Sequence, residues 1–272
     1  MDDVKLAVTA DLHLPITKLD QLAALADEMA AFQPDAAVLA GDLAESLVEL
    51  ERCLNLFKQR LPCPVWILAG NHDLWVRRSS DSKAVWLERL PQAVQAAGCH
   101  YLEGVSFTLN GIGVTGTIAW YDYSAADPSV QASTVTFAQQ KFNFNNDALL
   151  IDWEWSDPEF AGMVSGPFLS VLEQLQADPV VKQIVVLTHV PVLEEQMHRN
   201  PEDKSWAFTN AYFGNLTLGK HVLAQSKVTH VISGHTHIGK TARVERPGMP
   251  AIDARVLASD YHDPKWVGLT FE

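Results

Sequence analysis

Five short groups of polar residues in this sequence have the side-chain types that bind metal ions. Carboxylate, imidazole and amide groups coordinate divalent metals, and one aspartate can bridge two cations through its two oxygens. Residues two positions apart on an extended segment project to the same side, so an Asp-x-His or His-x-His pair can present two ligands to one region. The groups are Asp11-Leu12-His13, Gly41-Asp42, Gly70-Asn71-His72-Asp73, His189, and Gly234-His235-Thr236-His237.

Each group taken singly has an ordinary structural explanation. Gly-Asp is typical of a turn, and a histidine at the end of a strand is more often a hydrogen-bonded polar residue than a ligand. Gly-Asn-His-Asp and Gly-His-x-His are more suggestive of a metal site. The conjunction favours chemistry, because all five groups directly follow short apolar runs in one chain.

Those apolar runs predict the elements that would position the groups. Strands alternating with helices are typical of a parallel or mixed sheet with helices on its faces. Ligands in such sheets bind beyond the carboxyl ends of the strands, where the polar groups occur. In the first part of the chain, strands are expected at residues 5–10, 36–40 and 65–69, and helices at 19–32, 46–60 and 83–97.

The second part of the chain contains shorter strands and one irregular segment. Asn110-Gly111 between two apolar runs indicates a hairpin. Residues 119–166 are rich in aromatic residues and show no clean period, which predicts an ordered insertion or lid rather than a regular element. The other expected elements are strands at 99–102, 105–109, 112–117, 183–188, 228–233, 241–245, 251–254 and 267–271, and helices at 167–176 and 218–225.

Length and composition restrict the class of protein. The 272 residues are enough for one large domain, and a net charge of −13 disfavours nucleic acid as a partner. No apolar run is long enough to cross a membrane, and the acidic N-terminus does not resemble a signal peptide. Cys53, Cys63 and Cys99 form no CxxC pair, which favours a reducing, cytoplasmic location. No sequence feature specifies an oligomeric state.

The set DLH, GD, GNHD, a single H and GHTH resembles the calcineurin-like metallophosphoesterase superfamily. The resemblance runs from residue 11 to residue 237 and implies one α/β domain over residues 1–272, a four-layer αββα sandwich of two mixed sheets flanked by helices. It also implies a pair of divalent metal ions, with manganese favoured and iron or zinc as alternatives. The implied ligands are Asp11, His13 and His237 for the first ion, Asn71, His189 and His235 for the second, and Asp42 between them.

The resemblance further implies a mechanism. Two cations ~3.5–4 Å apart can activate a water and clamp the oxygens of an in-line displacement at phosphorus. Catalysis is therefore expected from direct attack of a metal-bound hydroxide, with Asp42 bridging and His72 as the general acid. Glu45 is expected either to orient His72 or to act as a carboxylate at a helix N-terminus, and Asp73 either to support the site or to form a local turn.

The sequence departs from two branches of that superfamily. It has GDLAES where serine/threonine protein phosphatases have GDxVDRG, and it has GNHD where they have GNHE. Lipid-A-pathway hydrolases carry arginine where His72 stands. The favoured function is therefore hydrolysis of a small phosphomonoester or phosphodiester, such as a nucleotide. The alternatives are a nuclease and a metal-binding scaffold without catalysis. Candidate substrate-binding residues are Arg77, Arg78, Trp75, Trp120 and Tyr121.

Overall fold

Eleven strands form two mixed sheets in the computed structural model, which describes residues 3–76, 81–200 and 202–272. The first sheet has the order β11-β1-β2-β3-β4 and the second β5-β6-β7-β8-β10-β9. The strands are β1 (Val4–Thr9), β2 (Ala36–Ala40), β3 (Val65–Leu68), β4 (His100–Tyr101), β5 (Ser106–Leu109), β6 (Ile112–Thr117), β7 (Gln183–Thr188), β8 (Val228–Ser233), β9 (Lys240–Arg246), β10 (Met249–Val256) and β11 (Trp266–Phe271).

Parallel strands occupy the centre of both sheets, and antiparallel strands lie at edges. β1, β2, β3 and β4 run parallel, while β11 pairs antiparallel with β1. In the second sheet β6, β7, β8 and β10 run parallel, while β5 and β9 are antiparallel. The parallel strands that precede the five polar groups therefore point their carboxyl ends in a common direction within each sheet.

Helices cover the outer faces of the sheets. An example is the helix from Leu47 to Arg60, which Ser46 caps by accepting a hydrogen bond from the backbone N–H of Glu49. The helices are α1 (Leu19–Ala31), α2 (Leu47–Arg60), α3 (Ser82–Ala84), α4 (Leu90–Ala96), α5 (Thr134–Phe144), α6 (Asp147–Leu150), α7 (Asp157–Ala177), α8 (Lys204–Thr209) and α9 (Leu216–Leu223), with a π-helical stretch at Val85–Arg89 joining α3 to α4.

Three apolar layers separate the four structural layers. On β1, Leu6 and Val8 face the layer between the two sheets, whereas Ala7 faces the helices, as the two-residue period of a strand requires. A third layer lies between the second sheet and helices α7 and α9. The expected four-layer αββα sandwich of two mixed sheets is confirmed.

Most strands were predicted correctly, but the aromatic segment was not. Strands 36–40, 112–117, 183–188 and 228–233 agree with the structure to the residue. Residues 119–166, expected to be irregular, contain α5, α6 and the first half of α7, so the helix predicted at 167–176 is only the second half of a 21-residue helix. Pro167 misled the prediction, because proline is favoured at a helix start and here lies inside the helix.

The aromatic segment also belongs to the core. Trp120, Tyr121, Phe137 and Phe160 are buried in the same cluster as the apolar faces of α1 and α2. All three cysteines are buried and free. Among the described residues, no helix has the length and apolar character that crossing a membrane requires.

Candidate metal centre

The structure brings the predicted ligands together at one edge of the sandwich. Strands β1, β2 and β3 of the first sheet lead into the first three polar groups, and β7 and β8 of the second sheet lead into the last two. The side chains that converge are those of Asp11, His13, Asp42, Asn71, His189, His235 and His237. They divide into two sets that share Asp42.

The first set consists of Asp11, His13, Asp42 and His237, each of which offers one ligand atom within 4.8 Å of the others. The Nε2 atoms of His13 and His237 face each other at 3.1 Å. The Nε2 of His13 lies 3.6 Å from Oδ2 of Asp42. These donors surround a common point, as ligands of one cation would.

The second set consists of Asp42, Asn71, His189 and His235. The Oδ1 of Asn71 lies 3.1 Å from Nε2 of His189 and 3.1 Å from Nδ1 of His235. The Oδ1 of Asp42 lies 3.4 Å from Nε2 of His189. The two oxygens of Asp42 therefore face different sets, as a bridging ligand requires.

The chemistry of these side chains fits two divalent cations. The Oδ2 of Asp11 is buried without a hydrogen-bond partner among the described residues, and an unpaired buried carboxylate oxygen is costly unless something binds it. Burial raises the pKa of Asp42, but His189 and His72 hold that pKa well below its usual value. Burial and the neighbouring His189 lower the pKa of His235 to about 4, so its ring is neutral and able to coordinate.

The backbone at the site is unusual, because five of the predicted ligands adopt positive φ angles. Asp11, His13, Asp42, His235 and His237 have φ between 46° and 71°. Such conformations cost about 1–3 kcal/mol each in residues other than glycine and concentrate at functional sites. They aim the side chains that leave the strands toward one another.

Glycine is required where two of these loops approach each other. A Cβ on Gly70 would lie 2.1 Å from Oδ1 of Asp42, and a Cβ on Gly234 would lie 2.4 Å from Oδ2 of Asp11. No side chain of any kind fits at either position. The Gly-Asn-His-Asp and Gly-His-x-His groups therefore begin with glycine for steric reasons.

His72 lies beside the metal ligands but is held by different partners. Its Nδ1 is 2.7 Å from Oε1 of Glu45, its Nε2 is 3.8 Å from Oδ2 of Asp42, and Trp75 stacks on its ring at 3.5 Å. Burial lowers the pKa of His72, but Asp42 and Glu45 raise it above its usual value. Of the two predicted roles of Glu45, this contact matches the one in which it orients His72.

Glu45 also contacts a predicted metal ligand, His13. Its Oε1 lies 3.1 Å from Nδ1 of His13, so one carboxylate oxygen contacts both imidazoles. Burial raises the pKa of Glu45, but the hydrogen bonds with His13 and His72 bring it down to about 2. Glu45 is therefore ionised and links the first set to His72.

Asp73 ties two ligand loops together. Its Oδ1 accepts hydrogen bonds from the backbone N–H groups of Leu43 and Ala44, and its Oδ2 accepts from that of Gly70. It therefore fixes the loop that carries Asp42 against the loop that carries Asn71. The two predicted roles of Asp73 combine, since it supports the site by shaping its turns.

The predicted substrate contacts need correction. Trp120 and Tyr121 are 0% exposed, so they cannot line an open cleft; their apolar area belongs to the core, as is usual for an aromatic cluster. Trp75 is half-buried and packs on His72. Arg77 and Arg78 lie outside the described residues.

Three residues near the ligands were missed by sequence reasoning. Asp147 accepts a hydrogen bond from Nδ2 of Asn71, and Asp260 lies 3.2 Å from Nδ1 of His237. The ring of Tyr261 lies 4.8 Å from that of His13 and 5.1 Å from that of His237. None of them stands in a motif, and no period in the sequence marks them.

Comparison with known proteins agrees with this geometry. The family model described as calcineurin-like phosphoesterase matches residues 4–239, which include every predicted ligand. The chain belongs to this family. It is a metallophosphoesterase, and the family uses centres of two divalent metal ions, for which the two sets described above supply candidate ligands.

Solved structures share the fold of this phosphoesterase. The phosphopantetheinyl hydrolase of Mycobacterium tuberculosis is 19% identical, with a TM-score of 0.71 over 97% of this chain and 96% of that one. A dimetal phosphatase from Danio rerio is 15% identical, with a TM-score of 0.53 over 93% and 87% of the two chains. A purple acid phosphatase from yellow lupin is 11% identical, with a TM-score of 0.56 over 99% of this chain and 49% of that one. No curated protein matches the sequence.

Proposed function

We propose that this phosphoesterase hydrolyses a small phosphomonoester or phosphodiester, such as a nucleotide, by direct attack of water at phosphorus. The observation that carries the proposal is the pair of ligand sets that share Asp42, with His72 beside the shared carboxylate. When bound, two divalent cations lower the pKa of water and offset the charge of the phosphoryl group. No covalent intermediate on the protein is needed.

The charge of the site favours a phosphate in spite of the acidic chain. The proposed ligand sets contain two carboxylates, Asp11 and Asp42, and five side chains that coordinate a cation in their neutral form. Two divalent cations would therefore leave a positive surplus at this edge, although the net charge of the chain is −13. The same net charge disfavours a nuclease, since affinity for nucleic acid depends on basic residues that neutralise many phosphates.

We propose that His72 transfers a proton to the leaving group. Glu45 contacts its Nδ1, so the nitrogen directed toward the site is Nε2. A proton on that nitrogen can pass to the oxygen that departs from phosphorus, while Glu45 stabilises the charged ring. A non-catalytic scaffold would have no use for this pair, and its presence supports an enzyme.

The metal and the location are proposed from the donors and the cysteines. A shell of aspartate, asparagine and histidine suits manganese, which we favour, and also iron or zinc. Three buried free cysteines are consistent with a reducing, cytoplasmic location. The partner proposed is a small phosphorylated substrate.

Metal content and hydrolysis of two aryl esters test the proposal. Protein purified in metal-free buffer is loaded with manganese and assayed with p-nitrophenyl phosphate and bis-p-nitrophenyl phosphate. Two ions per chain and hydrolysis of either ester are expected, and the preferred ester separates a monoesterase from a diesterase. Two bound ions without turnover of any phosphoester would favour the scaffold, and preferred cleavage of DNA would favour the nuclease.

The full-length match to a phosphopantetheinyl hydrolase adds one substrate to the panel. That match covers 97% of this chain and 96% of the other, so it includes the aromatic segment. A phosphopantetheinyl ester is therefore assayed beside nucleotides under the same conditions. If the phosphopantetheinyl ester is hydrolysed at a rate well above that of the nucleotides, the substrate class is identified.

A further inference from the structure

The aromatic segment contributes a buried carboxylate to the metal centre. Asp147 is 1% exposed and begins α6. Its Oδ1 accepts hydrogen bonds from Nδ2 of Asn71 at 2.9 Å and from Nε1 of Trp75 at 2.6 Å. Its Oδ2 accepts a hydrogen bond from the hydroxyl of Tyr121 at 2.8 Å. Its two oxygens therefore hold three donors.

The contact with Asn71 determines which way the amide points. An asparagine amide has one accepting end and one donating end, and only the oxygen can bind a cation. A carboxylate oxygen accepts a hydrogen bond from an N–H group, and the NH₂ group of Asn71 accordingly faces Oδ1 of Asp147. The oxygen is then directed toward His189 and His235, each of which has a ring nitrogen 3.1 Å away. Without Asp147 the amide could turn over and present its donors to the cation.

We propose that Asp147 is a positioning residue that fixes the amide oxygen of Asn71 toward the second cation. The proposal rests on the proposed two-metal function, since it assigns Asn71 as a ligand. It also gives the aromatic segment a role other than that of a lid. Asp147 belongs to the segment 119–166 and lies 76 residues from Asn71 in the sequence. The segment therefore fixes the orientation of a proposed ligand that comes from a distant part of the chain.

A second buried carboxylate in the same segment provides a matched control. Asp157 is 7% exposed, and its Oδ1 accepts from Nε1 of Trp120 at 2.8 Å and from Nζ of Lys141 at 2.7 Å. Its Oδ2 accepts from the hydroxyl of Tyr123 at 2.5 Å. Both carboxylates thus hold one indole and one tyrosine, but the third donor is Lys141 at Asp157 and the ligand Asn71 at Asp147.

Three variants separate positioning from general support of the fold. Asp147→Leu removes the acceptor and keeps the branch at Cγ, with a larger side chain. Asp147→Asn keeps it, because its oxygen can accept from Asn71 and Trp75 while the hydroxyl of Tyr121 accepts from its NH₂ group. Asp157→Leu removes the matched carboxylate without touching Asn71 and leaves Lys141 buried without its partner.

The readouts are the number of manganese ions bound per chain and their affinities by titration, together with the melting temperature of the metal-free protein. Asp147→Leu should bind the second ion about 10- to 100-fold more weakly, as is typical when a residue behind a ligand is lost. Asp147→Asn should bind both ions nearly as the wild type does. The melting temperature of Asp157→Leu should be no higher than that of Asp147→Leu, and Asp157→Leu should still bind two ions.

The proposal is overturned if Asp147→Leu binds both ions with unchanged affinity, or if Asp157→Leu loses the second ion equally. If Asp147→Leu does not fold, Asp147→Ser takes its place, because water admitted beside serine can donate or accept and does not select one orientation of the amide. Fewer than two ions on the wild-type chain would contradict the proposed function instead.

A double substitution tests the orientation itself. Asn71→Asp places an oxygen toward the cation in either rotation, so Asn71→Asp combined with Asp147→Leu should regain the second ion that Asp147→Leu alone has lost. Failure of the double variant to regain it, in a folded protein, would show that Asp147 does not act through the amide.

Discussion

The two halves of the metal centre are supported by different chemistry. In the first half, the outer nitrogens of His13 and His237 contact the carboxylates of Glu45 and Asp260. In the second half, the outer nitrogens of His189 and His235 contact the backbone carbonyls of Ala40 and Tyr212. The carboxylate of Asp147 accepts a hydrogen bond from the side-chain amide of Asn71, the remaining member of the second half.

The histidines of the first half are therefore oriented by charged side chains, whereas those of the second half are oriented by backbone carbonyls. A carboxylate behind an imidazole makes the ring a stronger ligand. Asp260, however, lies on a loop with a side chain that is 62% exposed, so salt and solvent weaken its effect. The carbonyls behind His189 and His235 are uncharged and belong to fully buried residues, Ala40 at the end of β2 and Tyr212 at the end of a short 3-10 helix. The first half should therefore be the more easily perturbed from the surface.

Removal of the shared ligand should have the largest effect, since it acts on both halves. Asp42→Asn takes away the negative charge that faces both sets, and we expect hydrolysis to fall to the level of the metal-free protein and both ions to bind more weakly. Assay of p-nitrophenyl phosphate hydrolysis and metal content checks this. A variant that keeps two ions and its activity would contradict the bridging role.

His72→Ala should leave both halves intact and lower only the rate. Loss of a general acid costs typically about 10²–10⁴-fold, and no ligand is removed. The comparison needs substrates with good and poor leaving groups, since p-nitrophenolate needs a proton less than an alkoxide does. If His72→Ala strips a metal ion from the protein, the residue is a ligand rather than an acid.

Glu103, a half-buried carboxylate outside both ligand sets, contrasts with Asp42. Burial raises the pKa of Glu103 to about 7, although Thr117 and Ile118 donate hydrogen bonds to it. The folded state therefore holds the proton more tightly than the unfolded chain, in which a glutamate has a pKa near 4.5. The resulting stabilisation is fully present below pH 4.5 and is lost as the pH rises through 7.

Glu103→Gln should remove that pH dependence. Between pH 5 and pH 8 the wild type should lose about 2–3 kcal/mol more of its free energy of unfolding than the variant does. Urea unfolding at both pH values, with a chelator present to exclude metal effects, gives the numbers. Parallel losses in the two proteins would show that Glu103 is ionised throughout.

The smallest effect is expected at the surface of the first half. Asp260→Ala removes the partner of His237. The affinity for the first ion should fall about tenfold, and the affinity for the second ion should not change. Titration with manganese at low and high salt measures it, and high salt should bring the wild type closer to the variant. An equal loss at both ions would remove the distinction between the two halves.

Sequence reasoning found the residues that converge at the candidate metal centre because each follows a short apolar strand. β2, β6, β7 and β8 were predicted to the residue, since parallel strands covered on both faces are rich in apolar residues. Once their order indicated parallel strands, the meeting of their ends at one edge followed. α5 and α6 were missed because their buried residues, such as Phe137 and Lys141, are few and do not form a clear helical stripe.

The sequence by itself determined the types of the candidate ligands, their positions at strand ends and the family to which the chain belongs. Only the tertiary structure decided which residues form hydrogen bonds with the outer side of each candidate ligand. Asp147 and Asp260 reach Asn71 and His237 from 76 and 23 residues away, and such contacts leave no period or motif in the chain. The same holds for Trp120, which could not be assigned to cleft or core until its burial was known, because an aromatic ring suits either.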